Sequence, residues 1–267
     1  MTRRELLRAV AAAPLASFSP DAHRHACHRP EYAGLPFSAQ GITHPVYSSG
    51  TGPDVIVLHE ITGPSSLFFR FTDCLVASKY RVHCPALFGT AFAKPSPLRN
   101  LVNAVKACGD WAEIDCWRSS AFSKLNPWLV ALAAHIGGTD TKPLGAIGMC
   151  LTGIQPLAML RCKAVIAPIL CQPTIPMGRA PKTDLGLPPS DVDFAAARVR
   201  ADNLGVLAIR YSGDTKCPPE RMERLRTILG SRVDVVTLHG GGHSSLVHAP
   251  SKEAFDKVLK FLERLRQ

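Results

Sequence analysis

Several signatures are missing from this 267-residue chain, and each absence removes a class of function. No apolar run comes near the roughly 20 residues that cross a bilayer as a helix, so stable membrane association is not expected. No two of the nine cysteines stand as Cys-x-x-Cys, which argues against a thioredoxin-like redox pair or a zinc ribbon. No internal repeat is visible. Lys and Arg are scattered, with no basic-aromatic stripe, so the net charge of +10 does not read as a nucleic-acid surface. It reads as a solubility feature or as a pull on acidic substrates.

What is present is a chain with 46% hydrophobic residues, enough for a substantial core. We expect one domain over residues 37–267, preceded by an N-terminal extension over 1–36. In that extension Arg3-Arg4 and the short apolar stretch from Ala9 to Phe18 resemble a twin-arginine export signal. The alternative is a frayed amphipathic helix on a cytoplasmic enzyme, because Pro14 interrupts the run and no small-x-small cleavage site follows. The tract His23-Arg24-His25-Ala26-Cys27-His28 carries metal-ligating side chains, although such tails are usually solvated. Cys74, Cys84, Cys162 and Cys171 sit in apolar surroundings and read as small buried hydrophobes. So many thiols favour a reducing compartment.

From about Phe37 the pattern alternates strands and helices. Strands are expected at Val55–Leu58, Arg81–Pro85, Leu144–Ile147, Ala164–Leu170, Val206–Tyr211 and Val233–Leu238. Helices are expected at Leu67–Ala77, Ile154–Leu160, Pro219–Leu229 and Lys252–Leu265. Short apolar strands separated by helices indicate a parallel sheet covered on both faces. Phe88–Lys124 and Gln172–Asn203 break the rhythm and read as inserts roofing a site at the carboxyl ends of the strands.

The chemistry gathers at those strand ends. Gly148-Met149-Cys150-Leu151-Thr152-Gly153 reads as a sharp strand-to-helix turn that lifts the Cys150 thiol above the sheet. Amides at the start of the following helix favour the thiolate. Asp214 ends a strand in Ser212-Gly213-Asp214, and His243 follows the last strand in a glycine-rich segment. A thiol needs a base, and the base needs a carboxylate to orient it. Cys150, Asp214 and His243 supply the three in the order nucleophile, acid, histidine. His239 stands at the strand end as a poorer base, and His248 reads as a pocket or surface residue.

With these motifs the chain resembles the dienelactone hydrolase family over roughly residues 42–262. Further echoes are Val57-Leu58-His59-Glu60-Ile61-Thr62-Gly63 and Arg81 to Gly89. The resemblance implies an α/β-hydrolase fold with a mostly parallel twisted sheet. It implies that Glu60 exchanges partners with Cys150 when substrate binds, and that the Leu151 and Ile61 amides form the oxyanion hole. It implies no metal and no organic cofactor. The partner would be a small-molecule ester or lactone, and the chain a monomer.

Three departures bear on substrate. Thr152 replaces a glycine of the family elbow, which should alter helix–strand packing. Pro156 lies early in the next helix, where it should bend the helix or remove a hydrogen bond. The arginine that binds substrate carboxylate shortly after the histidine is absent from Ser244-Ser245-Leu246-Val247-His248. Arg70, Arg99 or Arg118 could serve an anionic substrate in its place. We therefore expect hydrolysis of a small ester or lactone through an acyl-Cys150 intermediate, with dienelactone itself a doubtful substrate. Acyl transfer, thioester hydrolysis and non-catalytic binding are the alternatives.

Overall fold

Apolar strands alternate their side chains between two cores, and this alternation sets the layers. In β3 (Asp54–Leu58), Ile56 and Leu58 face one core while Val55 and Val57 face the other. β7 (Val206–Tyr211) divides in the same way, with Val206 and Ala208 on one side and Leu207 and Ile209 on the other. Burial on both faces requires helices on both faces. The computed structural model describes residues 31–94, 96, 125–138, 142–174 and 181–267.

The remaining strands are β1 (Ala33–Ala39), β2 (Ile42–Ser49), β4 (Arg81–Pro85), β5 (Leu144–Met149), β6 (Val165–Cys171) and β8 (Val233–Leu238). They form one sheet in the order β1-β2-β4-β3-β5-β6-β7-β8. Strands β3 to β8 are mutually parallel. β1 and β2 form an antiparallel hairpin, which joins antiparallel to β4. The sequence pattern does not reveal this hairpin, because β1 lies on the sheet edge with most of its residues exposed. Its first residue, Ala33, precedes the expected domain start at 37.

Helices α2 (Leu125–Gly137), α3 (Gln155–Met159), α4 (Pro189–Ala201) and α5 (Pro219–Leu229) cover one face. Helices α1 (Ser66–Ala77) and α6 (Lys252–Leu262) cover the other. Ser65 and Ser251 cap α1 and α6 by accepting from the Phe68 and Ala254 amides. α4 lies within the segment expected to be an insert over the site. Its Ala195, Ala196 and Val199 are instead buried in the core on that face, between α3 and α5. The Phe88–Lys124 insert falls mostly outside the described residues, as do residues 1–30 with their arginine pair and histidine tract.

Chain order reverses across the sheet between β3 and β5: β4 lies on one side of β3, and β5 on the other. Crevices form at such switch points, beyond the carboxyl ends of the strands. Glu60 follows β3 and Cys150 follows β5, one on each side of the crevice.

Candidate active site

Cys150 leaves β5 with φ 55°, in the left-handed region that non-glycine residues avoid. It begins a short 3₁₀ turn over Cys150–Thr152, and α3 follows. The two glycines of the motif make this turn possible. A Cβ on Gly148 would lie 2.2 Å from the Thr152 carbonyl oxygen. On Gly153 it would lie 2.6 Å from Pro173 Cα and 2.8 Å from the carbonyl oxygens of Cys150 and Cys171. The backbone therefore doubles back tightly enough to hold a strained residue at its apex.

Thr152 has a specific function in this elbow. It is fully buried, and its Oγ1 donates to the carbonyls of His59 and Met149, each at 3.1 Å. The same oxygen accepts from the Met149 amide at 3.2 Å. The hydroxyl thus joins the Cys150 turn to the end of β3, a link that glycine cannot make. Contrary to the expectation from sequence, Pro156 does not cost α3 a hydrogen bond. It sits within the first two positions of the helix, where its missing N–H has no intrahelical acceptor.

His243 Nδ1 donates to Asp214 Oδ2 at 2.7 Å. Asp214 Oδ1 accepts from the amides of Lys216 and Cys217 at 2.9 and 3.2 Å, so both carboxylate oxygens are fixed. His243 and Cys150 lie close enough for their charges to interact. Burial alone would lower the imidazole's pKa. Negative charge on the Cys150 sulfur, with the hydrogen bond to Asp214, outweighs it and raises the group to about 10. These three residues can move a proton between a sulfur nucleophile and a leaving group. Three other buried thiols lack such a setting. Burial pushes Cys217 up to about 12, and Cys84 and Cys171 higher still.

Glu60 is brought to the site but is not hydrogen-bonded to Cys150. Its Oε1 accepts from Ser244 Oγ at 2.6 Å and from Gln172 Nε2 at 3.1 Å. Gln172 Oε1 in turn accepts from Ser245 Oγ at 2.6 Å. The carboxylate therefore holds the segment just after His243 against the end of β6. His59, fully buried, shapes the backbone on either side. Its Nε2 accepts from the Leu87 amide at 3.1 Å, so Nδ1 carries the proton and donates to the Glu60 carbonyl at 2.8 Å. Burial lowers this imidazole to about 4 and keeps it neutral.

Sequence reasoning missed several residues of this arrangement. Thr174 donates its amide to the Cys150 carbonyl at 2.9 Å and its hydroxyl to the Gln172 carbonyl at 3.1 Å. That leaves its oxygen to accept from His243 Nε2, 3.4 Å away. Arg221, buried on α5, donates to the carbonyls of Asp184, Pro173 and Lys216 at 2.7, 2.9 and 3.2 Å. Only the proximity of Ser244 and Ser245 to His243 could have suggested any of them. His239 is exposed, and Arg70 is exposed on α1. Arg99 and Arg118 lie outside the described residues. A cavity of about 440 Å³ opens past β4, lined by His44, Tyr47, Leu87, Phe88 and Thr90 among others. Among the described residues no cluster of three metal-ligating side chains occurs, and no helix is long and apolar enough to cross a membrane.

No family model matches the chain, and no curated protein does. Solved structures do. A protein provisionally assigned as a dienelactone hydrolase from Klebsiella pneumoniae superposes with a TM-score of 0.61 at 19% identity, covering 89% of this chain and 99% of that one. A Pyrococcus furiosus esterase gives 0.57 at 17% identity over 88% and 93% of the two chains. An α/β hydrolase from Novosphingobium aromaticivorans gives 0.57 at 14%, over 88% and 99%. At these identities the likeness speaks to architecture. The chain has the α/β-hydrolase fold.

Proposed function

We propose that this chain hydrolyses a small carboxylic ester or lactone through a cysteine nucleophile, as a divergent relative of the dienelactone hydrolases. One observation carries the reading: a left-handed Cys150 on a strand-to-helix elbow interacts electrostatically with a histidine that is itself fixed by a buried aspartate.

Cys150 thiolate attacks the acyl carbon, and the carbonyl electrons move onto oxygen. The Leu151 and Ile61 amides hold that oxyanion, since each directly follows a strand-end residue bordering the crevice. The oxyanion collapses and expels the alkoxide, which takes the proton from His243 Nε2. A thioester remains on Cys150. Neutral His243 then removes a proton from water, the hydroxide adds to the thioester, and thiolate leaves with the acid as product. Asp214 keeps Nδ1 protonated throughout, so that Nε2 faces the reaction. In this scheme Glu60 positions the His243 segment through Ser244 and Gln172. The lack of an arginine after His243 argues against a carboxylate-bearing substrate such as dienelactone.

Stopped-flow hydrolysis of p-nitrophenyl acetate tests the proposal. Wild type should release a burst of nitrophenol equal to the enzyme concentration, and Cys150→Ser should release none. Iodoacetamide at neutral pH should label Cys150 ahead of the buried Cys84, Cys171 and Cys217. A burst that survives the substitution would reject the nucleophile.

A further inference from the structure

The two oxygens of Glu60 are used unequally. Oε1 accepts two hydrogen bonds, from Ser244 and Gln172. Oε2 accepts none, although the residue is only 4% exposed. His248 Nε2 lies 3.7 Å from it, beyond hydrogen-bond reach. A nearly buried carboxylate oxygen without a donor is costly, and such groups mark a place where something else binds. Among the described residues, the fully enclosed unpaired atoms include Asn126 Oδ1 and both side-chain polar atoms of Gln155, but not Glu60 Oε2. Oε2 therefore keeps an opening. His248 is partly exposed beside it, and its Nε2 also lies 3.2 Å from Thr62 Oγ1.

The Glu60 side chain is tied to segments that carry the proposed reaction. Glu60 directly precedes Ile61 of the oxyanion hole. Its partner Ser244 directly follows His243. Its partner Gln172 leads, two residues on, to Thr174, which holds the Cys150 carbonyl.

We propose that Glu60 Oε2 and His248 Nε2 form a subsite for a substrate hydroxyl, so that the preferred substrates are esters bearing a hydroxyl close to the scissile carbonyl. This rests on the hydrolase reading above. An oxygen about 2.8 Å from each atom spans the 3.7 Å gap as the apex of a triangle. It donates to Oε2 and accepts from Nε2–H, sharing that hydrogen with Thr62 Oγ1. The carboxylate beside it favours that imidazole tautomer. An ammonium group would satisfy Oε2 but oppose the Nε2–H donor. A substrate carboxylate would meet Glu60 as a like charge.

The test compares p-nitrophenyl glycolate and p-nitrophenyl 3-hydroxypropanoate, each against its own O-methyl ether, which keeps the inductive effect but cannot donate. In at least one pair the hydroxy ester should be favoured about tenfold or more in kcat/KM. Glu60→Gln should bring that ratio close to one. Ser244 and Gln172 both donate to Oε1, so they would turn the new amide to place its NH₂ where Oε2 was. His248→Phe should lower the ratio several-fold and tests the subsite even if Glu60→Gln fails to fold. Ratios near one in wild type for both pairs would overturn the subsite, as would a preference that survives in both variants. No turnover of p-nitrophenyl acetate by wild type would overturn the hydrolase reading itself, and the subsite with it.

Discussion

Thr152 Oγ1 lies 3.1 Å from the carbonyl oxygen of His59, joining the Cys150 elbow after β5 to the Glu60 turn after β3. A buried hydroxyl at this position replaces the conformational freedom of a glycine with a fixed link between the two sides of the crevice. Thr152→Val keeps the shape and removes the link, leaving the Met149 amide without its acceptor. We expect it to cost about 1–3 kcal/mol in urea unfolding and to lower kcat. Thr152→Ser should retain most of both. Equal loss in the two variants would mean that packing, not the hydroxyl, matters here.

Cys150 is held at φ 55°, against its conformational preference. Cys150→Gly should therefore be inactive yet more stable than Cys150→Ala, by about 1 kcal/mol in thermal or chemical unfolding. Alanine removes the sulfur but keeps the left-handed penalty.

His243 should remain protonated to about pH 10 in wild type, as followed by the imidazole resonances in NMR. Its folded value is raised above the ordinary 6.5, so its contribution to stability is complete below about pH 6.5 and disappears as pH rises towards 10. Removing the sulfur charge in Cys150→Ala should shift the titration down. An unchanged midpoint would show that Asp214 alone sets it.

His59 has the opposite sign. It is neutral when folded, with a value lowered from 6.5 to about 4 by burial. Its stabilising effect is present above pH 6.5 and is lost as pH falls towards 4, amounting to about 3 kcal/mol across the window. Unfolding measured from pH 7 to 4 should fall more steeply for wild type than for His59→Phe.

The parallel strands and the residues at their ends were legible because each is local. β4, β7 and β8 have the bounds expected from their apolar runs, and Cys150, Asp214 and His243 each sit in a short turn motif. What was hidden depends on distance along the chain. Glu60 meets Gln172 and Ser244 across 112 and 184 residues, and no spacing rule links them. Thr152 read as a departure from a glycine pattern because its acceptor, the His59 carbonyl, is 93 residues away. α4 was masked by Pro188-Pro189 at its start and by a buried face made largely of alanines. The β1–β2 hairpin offers little burial along β1, so its pattern lacks the alternation that marks a half-buried strand.

One guanidinium, that of Arg221, grips the carbonyls of Pro173, Lys216 and Asp184 from within α5. The turn that backs Cys150 and the turn that carries Asp214 therefore cannot loosen independently. Amide exchange should find them in a single cooperative unit with α5, opening together or not at all. The protein would then lose the support behind Cys150 and the placement of Asp214 in one event, which makes a half-assembled crevice a rare species.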